Sequence, residues 1–152
     1  VTSIGEGCFN GCSSLTEVTI HSSNVKIRIN SFFNCQSLTK LIIGSSENSI
    51  FNVSFSDCPL LTQIIVPSSM SYIDEGFFNK CTSLTQITIP SSVTTIGKYV
   101  FNECTSLTHV TLPSSLTTLG SYSFNKCTNL AEIEFPSSLK IIYSYFSMNA
   151  DH

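Results

Sequence analysis

The sequence predicts a solenoid, in which short coils of chain stack on one another and each coil contributes one parallel strand. Six cysteines recur every 23 residues, from Cys12 to Cys127. A phenylalanine precedes each of them by three residues and a leucine follows by three, so that the unit reads F-x-x-C-x-x-L. A unit of this length cannot bury such side chains alone, whereas stacked units bury them against their neighbours. We therefore expect the phenylalanine column, of which Phe101 is a member, to form much of the core.

Each unit contains one predicted strand, which follows the leucine. Aliphatic side chains alternate there with polar ones, as in a strand with one buried face. The inward pairs are Val18 and Ile20, Leu41 and Ile43, Ile64 and Val66, Ile87 and Ile89, Val110 and Leu112, and Ile133 and Phe135. Proline ends the segment in the last four units, because it cannot donate to a sheet ladder. Equivalent strands of adjacent coils should pair in parallel, about 4.8 Å apart.

A serine pair follows every predicted strand, and a second aliphatic pair, such as Val93 and Ile96, then turns the chain back towards the next phenylalanine. Repeated serine pairs without a histidine and a carboxylate in each coil are not catalytic triads. We expect their hydroxyls to bond backbone groups at the turn after the strand.

The repeat pattern is incomplete at both ends of the sequence. Residues 1–11 match the second half of a unit, whereas Ser147 and Ala150 stand where phenylalanine and cysteine are expected. Phe146 lies one position out of register, which we interpret as a cap or a truncated unit. We expect residues 1–152 to form one repeat domain within a longer chain.

The composition excludes some classes of partner. The net charge is -3 and the lysines and the arginine are scattered, whereas nucleic-acid binding requires clustered positive charge. No apolar run approaches the roughly 20 residues that span a bilayer. The hydrophobic content of 41% is enough for a substantial core.

The segment from Phe78 to Gly97 reads F-x-x-C-x-S-L-T-x-I-x-I-P-S-S-V-x-x-I-G. Six consecutive units of this kind resemble the BspA-like class of leucine-rich repeats. The resemblance implies a leucine-rich-repeat solenoid with a parallel β-sheet on its concave face and turns or 3-10 segments on its convex face. It also implies adhesion or protein binding at a cell surface, with no catalytic motif and no cofactor. Residues 25–29 and 47–53 depart from the pattern.

The cysteine column has three interpretations. Equivalent Cα atoms of adjacent coils lie near ~5 Å, within disulfide range. A zinc site needs four converging ligands, whereas one thiol per coil makes a line. We favour buried thiols that pack as small apolar side chains. Cys8 breaks the spacing, and we expect it to be a free thiol.

The outward positions of the predicted strands are the candidate ligand-binding residues, because the repeats differ most there. One column is Glu17, Lys40, Gln63, Gln86, His109 and Glu132, and the other is Thr19, Ile42, Ile65, Thr88, Thr111 and Glu134. Ile42 and Ile65 should lie side by side and exposed, as a contact patch. The alternatives are that they face a loop or another domain, or that the whole face is merely solvated.

Three other sequence features give weaker indications of function. Lys80, Glu103 and Lys126 precede successive cysteines and could form weak ion pairs on the convex side. The histidines at positions 21, 109 and 152 do not converge on a metal site. Asn52-Val53-Ser54 is a glycosylation sequon, relevant only if the chain is secreted.

These observations favour a non-enzymatic binding module that recognises a protein or a glycan through the concave sheet, in surface adhesion. The alternatives are an intracellular scaffold that uses the same face and a spacer for another domain. We expect no cofactor, no nucleic acid and no direct membrane insertion. Self-association is conceivable at the ends of the solenoid, where sheet edges are uncovered.

Overall fold

The computed structural model describes residues 2–21, 25–28, 30–43, 54–66 and 68–143, which form a parallel β-solenoid. Within these ranges the chain consists of short strands and turns and contains no helix. The strands are β1 (Ser3–Ile4), β2 (Glu17–Ile20), β3 (Lys26–Ile27), β4 (Lys40–Ile43), β5 (Gln63–Ile65), β6 (Tyr72–Ile73), β7 (Gln86–Thr88), β8 (Thr95–Ile96), β9 (His109–Thr111), β10 (Thr118–Leu119) and β11 (Ile141–Ile142).

The strands fall into two columns that run along the stack of coils. The first strand column consists of β2, β4, β5, β7 and β9, and it occupies the segments that the sequence predicts as strands. Every pairing is parallel and joins equivalent residues of adjacent coils, such as Val18 with Leu41 and Ile87 with Val110. The predicted solenoid with parallel pairing is therefore confirmed.

The second strand column consists of β1, β3, β6, β8, β10 and β11, and the sequence prediction missed it. One strand per coil was expected, with a turn at the second aliphatic pair. Each of these strands has only two residues, which is too short for a period of two to be recognised. Backbone bonds between coils hold them, for example from Gly97 N to Ile73 O and from Gly120 N to Ile96 O, both 2.8 Å.

The sixth predicted strand, at Ile133 and Phe135, is wrong, since residues 131–136 form no strand. In the pairs that do form, a threonine hydroxyl at the strand entrance donates to the preceding coil, as from Thr108 Oγ1 to Thr85 O at 3.0 Å. Ala131 occupies the equivalent position and has no hydroxyl. The last segment therefore lacks this bond to the coil before it.

The spacing of F-x-x-C-x-x-L follows from two consecutive tight turns. Cys104 N donates to Phe101 O at 3.1 Å, and Leu107 N donates to Cys104 O at 3.0 Å. Residues three apart in such turns eclipse one another, so all three side chains point the same way. Phe101, Cys104 and Leu107 are fully buried.

The phenylalanines of successive coils stack into a continuous column, as the repeat predicts. The rings of Phe78 and Phe101 lie 5.5 Å apart at 15°, and those of Phe101 and Phe124 lie 5.2 Å apart at 11°. Burial of each ring stabilises the fold by about 1.5 to 3 kcal/mol before chain entropy is subtracted. The stacking geometry adds to that contribution. The prediction that this column forms the core is confirmed.

The buried thiols act as hydrogen-bond donors as well as apolar groups. Each donates to the carbonyl of the phenylalanine 26 residues earlier, as from Cys104 Sγ to Phe78 O and from Cys127 Sγ to Phe101 O. Burial raises the pKa of Cys58 and of Cys127 to about 12, so both keep their proton at neutral pH. All seven cysteines are free, and Cys8 is exposed. The thiols therefore join each coil to the one before it.

Two positions of the repeat adopt left-handed backbone conformations wherever the structure describes them. The residue before each cysteine is one of them, namely Gly11, Asn34, Asp57, Lys80, Glu103 and Lys126, with φ between 58° and 69°. The other comprises Gly7, Asn30, Gly76, Tyr99 and Tyr122, with φ between 55° and 66°. Such angles are uncommon outside glycine, asparagine and aspartate. The glycines and asparagines of the first coils therefore mark the turns that later coils make with bulkier residues.

The predicted charge ladder beside the cysteines is only partly present. Lys126 pairs with Glu103 at 3.1 Å, as expected from adjacent coils. Lys80 pairs with Asp57 of the preceding coil at 3.5 Å rather than with Glu103. All four side chains are solvent-accessible to some degree, so these pairs contribute little to stability.

Polar side chains also bond from coil to coil. The second serine of the later pairs donates to the previous coil, as from Ser92 Oγ to Met70 O at 2.6 Å, which confirms the expectation for this serine. An asparagine ladder was not predicted: Asn125 Nδ2 donates to Asn102 Oδ1 at 2.7 Å, and Asn102 Nδ2 donates to Asn79 Oδ1 at 2.8 Å.

Several interpretations concern residues outside the described ranges: Ser22, Ser23, Ser45, Ser46, residues 47–53 with the sequon's Asn52, Phe146, Ser147, Ala150 and His152.

Candidate binding surface

The first strand column aligns the predicted binding residues in two rows. One row joins Glu17, Lys40 and Gln63 in one sheet, and Gln86 and His109 in another. The parallel row joins Thr19, Ile42 and Ile65, and then Thr88 and Thr111. Alternation along each strand places these side chains opposite the core residues. The structure therefore brings these ten residues onto one surface, and their role in binding stays a prediction.

Eight of these ten side chains are exposed, whereas Lys40 and Ile42 are only partly exposed. The side chain of Ile65 is 58% exposed, which is unusual for an isoleucine in a sheet. Its in-register neighbour Ile42 is only partly exposed, whereas the sequence predicted both to be exposed. Only one member of the predicted contact patch, Ile65, is therefore prominently exposed.

The first strand column is interrupted between β5 and β7. At the entrances of β4 and β5, threonine hydroxyls donate to the preceding coil, as from Thr62 Oγ1 to Thr39 O at 3.2 Å. Among the described residues no such bond joins Thr85 to Thr62, and no sheet pairing joins β5 to β7. The facing edges of β5 and β7 are consequently not paired with each other.

A groove of about 660 Å³ lies across this interruption. The predicted residues that line it are Lys40, Ile42, Gln63, Ile65, Gln86, Thr88 and His109. The aliphatic side chains form one wall, and two amides, an ammonium group and an imidazole lie around them. A surface of this composition suits a ligand with both apolar and hydrogen-bonding groups.

A second groove, of about 370 Å³, lies where the sixth strand was expected. His109, Thr111, Glu132 and Glu134 contribute to its lining, together with the exposed Phe135. His109 therefore belongs to both grooves, and its Nε2 lies 3.2 Å from Thr111 Oγ1. The two carboxylates make this groove acidic, whereas the larger groove carries the ammonium group of Lys40.

Two of the predicted residues lie outside the grooves. Glu17 and Thr19 are exposed on β2, but they line neither groove. In the described part of the chain, no group of histidine, cysteine, aspartate and glutamate is arranged to hold a metal ion. The characteristic features of this surface are therefore its two grooves and their mixture of apolar and polar side chains.

A model of the BspA type leucine-rich repeat region matches the sequence in six copies, over residues 1–104 and 49–150. The chain belongs to the BspA-type leucine-rich repeat family. The expected family membership is confirmed. The repeat spacing of about 23 residues is also the spacing of the phenylalanine and cysteine columns in the core. Leucine-rich repeat proteins of this type are typically non-enzymatic protein-interaction modules.

Two solved leucine-rich repeat proteins share the architecture of this family member. A leucine rich cell surface protein from Faecalibacterium prausnitzii is 30% identical, with a TM-score of 0.69 over 86% of this chain. The T. pallidum leucine rich repeat protein TpLRR is also 30% identical, with a TM-score of 0.55 over 86% of this chain. The chain spans 42% and 50% of those two structures. No curated protein matches the sequence.

The leucine-rich repeat chain shows no membrane-spanning helix in its described part, since none of its elements there is a long apolar helix. The interruption of the first strand column is a feature of the candidate surface that sequence reasoning missed. Ala131 replaces the recurring threonine at the start of the sixth predicted strand, and this substitution was a visible signal that the strand would be absent. Thr85 retains its hydroxyl, so the sequence contained no comparable signal for the interruption between β5 and β7.

Proposed function

We propose that this leucine-rich repeat chain binds a protein partner through the groove between β5 and β7. The observation that carries the proposal is the interruption itself, because it combines an exposed isoleucine with strand edges that are not paired with each other. Ile65 supplies the apolar centre, and Lys40, Gln63 and Gln86 supply a polar rim around it. An apolar centre within a polar rim is the usual composition of a protein interface.

The shape of the groove favours an extended segment of the partner. Unpaired strand edges present backbone donors and acceptors in ladder spacing, and an extended peptide satisfies them. Side chains of that peptide would alternate between Ile65 and solvent. The acidic groove at Glu132 and Glu134 would favour a basic residue farther along the same segment.

A glycan is the second candidate ligand for this surface. Gln63, Gln86, Thr88 and His109 are exposed hydrogen-bonding side chains in one groove, and such groups bind sugar hydroxyls. Ile65 argues for the protein ligand, because a sugar leaves this aliphatic side chain largely uncovered.

The proposal is tested with two matched substitutions of exposed aliphatic residues. Purified extracellular proteins and an immobilised glycan panel are first screened with the wild-type chain, and affinity for the ligand found is then measured. We expect Ile65→Ser to weaken binding by about tenfold or more. Leu60→Ser is the control, because Leu60 is 48% exposed and does not line the groove.

Three outcomes are informative. A protein ligand that Ile65→Ser weakens and Leu60→Ser does not supports the proposal. A ligand insensitive to Ile65→Ser and Ile42→Ser together contradicts it. The absence of any ligand in either screen favours a spacer for another domain.

We further propose that the protein acts in adhesion at a cell surface, as the description of the F. prausnitzii relative suggests. Antibody labelling of intact cells that produce the full-length protein tests this location. Labelling only after permeabilisation would favour the intracellular scaffold instead.

A further inference from the structure

A further surface hollow lies on the turn side of the coils, away from the first strand column. Its volume is about 290 Å³. Its lining residues are Asn30, Phe33, Ser54, Ser56, Glu75, Gly76, Asn79, Tyr99 and Asn102. We call this hollow the Gly76 slot. None of these residues belongs to the grooves of the proposed protein-binding surface.

The slot exists because one coil lacks a ring that the next two coils possess. Gly76, Tyr99 and Tyr122 are equivalent residues of successive coils, all with left-handed backbone. The rings of Tyr99 and Tyr122 stack at 5.0 Å and 3°. The opposite face of the Tyr99 ring is directed towards the coil of Gly76, which has no side chain. Tyr99 is 38% exposed and lines the hollow, so a ligand there can contact it.

The floor of the slot is polar and held in place. Asn102 is only 9% exposed and Ser56 only 7%, and both belong to the asparagine ladder. Asn102 Nδ2 donates to Asn79 Oδ1, and Asn79 Nδ2 donates to Ser56 Oγ at 3.1 Å. An asparagine amide carries two N–H groups, and the ladder uses one of them. The second group and the Glu75 carboxylate provide a donor and an acceptor for a ligand.

We propose that the Gly76 slot binds a single pyranose ring of a neutral sugar. The electron-rich face of Tyr99 attracts the C–H groups on one side of such a ring. The hydroxyl groups at the edge of the sugar then bond Asn79, Asn102 and Glu75. An aromatic side chain from a protein would stack equally well on Tyr99, but it would cover the polar floor without bonding it, which is unfavourable.

The test measures binding of methyl glycosides of neutral hexoses and N-acetylhexosamines by saturation-transfer NMR. We expect at least one of them to bind with a Kd on the order of millimolar, as suits one ring in a shallow site. Gly76→Tyr should abolish this binding, because the new ring fills the slot. The backbone tolerates tyrosine there, since Tyr99 and Tyr122 have φ of 56° and 59° at the equivalent positions. A Cβ at Gly76 would contact only Asn79 Cβ, at 3.9 Å.

Tyr99→Ala should weaken binding by about tenfold or more, because it removes the stacking platform. Tyr72→Ala is the control and should leave affinity unchanged, because Tyr72 is similarly exposed, at 43%, but lies outside the slot. Unchanged thermal unfolding of Gly76→Tyr shows that the variant is folded. Absence of binding by every glycoside overturns the proposal, as does binding that Gly76→Tyr leaves intact. Selective binding of N-acetyl-tyrosine amide would instead identify an aromatic side chain as the occupant.

Discussion

The two strand columns behave differently over the same coils. From Tyr72 to Ile142 the second strand column is continuous, because β6, β8, β10 and β11 form one four-stranded sheet. Over the same stretch the first strand column is interrupted between β5 and β7 and ends at β9. The coils therefore pair continuously on one side, whereas strand pairing is interrupted on the other. Continuity on the second strand column allows the first to open into grooves without unstacking the solenoid.

The contrast has a chemical basis in the sequence. Stacked phenylalanines and thiol-to-carbonyl bonds recur along the stack of coils, and an asparagine ladder joins Asn79, Asn102 and Asn125. Threonine hydroxyls bond the preceding coil on both sides, for example from Thr117 Oγ1 to Thr94 O at 3.0 Å on the continuous side, and the interrupted side carries the residues that vary most between repeats. The substitutions below test this division, beginning with the largest expected effect.

Phe101→Ala removes a ring from the stacked phenylalanine column of the core. The ring is fully buried between its neighbours, so the cavity should lower the free energy of unfolding by about 3 to 5 kcal/mol. Phe135→Ala is the control, because that ring is 40% exposed next to the interrupted side, and it should cost less than about 1 kcal/mol. Denaturant unfolding measures both. Equal losses would contradict the division into a packed side and an open side.

Gly120→Ala should disturb the backbone pairing of the second strand column, where Gly120 N donates to Ile96 O. A Cβ at this position would lie 2.5 Å from Gly97 O, so adjacent coils would have to move apart. We expect a loss of about 1 to 3 kcal/mol from overpacking. Gly5 is the equivalent residue of the first coil and has no atom within 4 Å of such a Cβ. Gly5→Ala should therefore change stability by less than about 0.5 kcal/mol, and a similar loss there would show that crowding between coils is not the cause.

Ala131→Thr restores the missing hydroxyl at the start of the sixth predicted strand, which does not form in the wild-type chain. The new hydroxyl can donate to Thr108 O, as Thr108 donates to Thr85 O. We expect a gain of about 0.5 to 1.5 kcal/mol relative to Ala131→Val, which has the same shape without the hydroxyl. Thermal unfolding of both variants is the measurement. Equal stabilities would mean that the missing hydroxyl does not explain the missing strand.

Sequence reasoning recovered the periodic part of the molecule. The columns of Phe101, Cys104 and Leu107 were predictable because every coil repeats the same inward side chains. The second strand column was not, since two-residue strands show no alternation and depend on backbone bonds. Ile42 was predicted to be as exposed as Ile65, because the repeat register gives their alignment but not how far each projects from the sheet. Whether β5 and β7 pair depends on a hydrogen bond that the identity of Thr85 does not determine.

The thiol column also gives each coil its own chemical reporter. A cysteine sulfur that donates to a carbonyl of the previous turn meets an alkylating reagent only when those two turns separate. The labelling rate of each cysteine would then report the frequency with which its own turn detaches. A chain with one such thiol per turn thus permits local unfolding to be followed turn by turn, without any introduced probe.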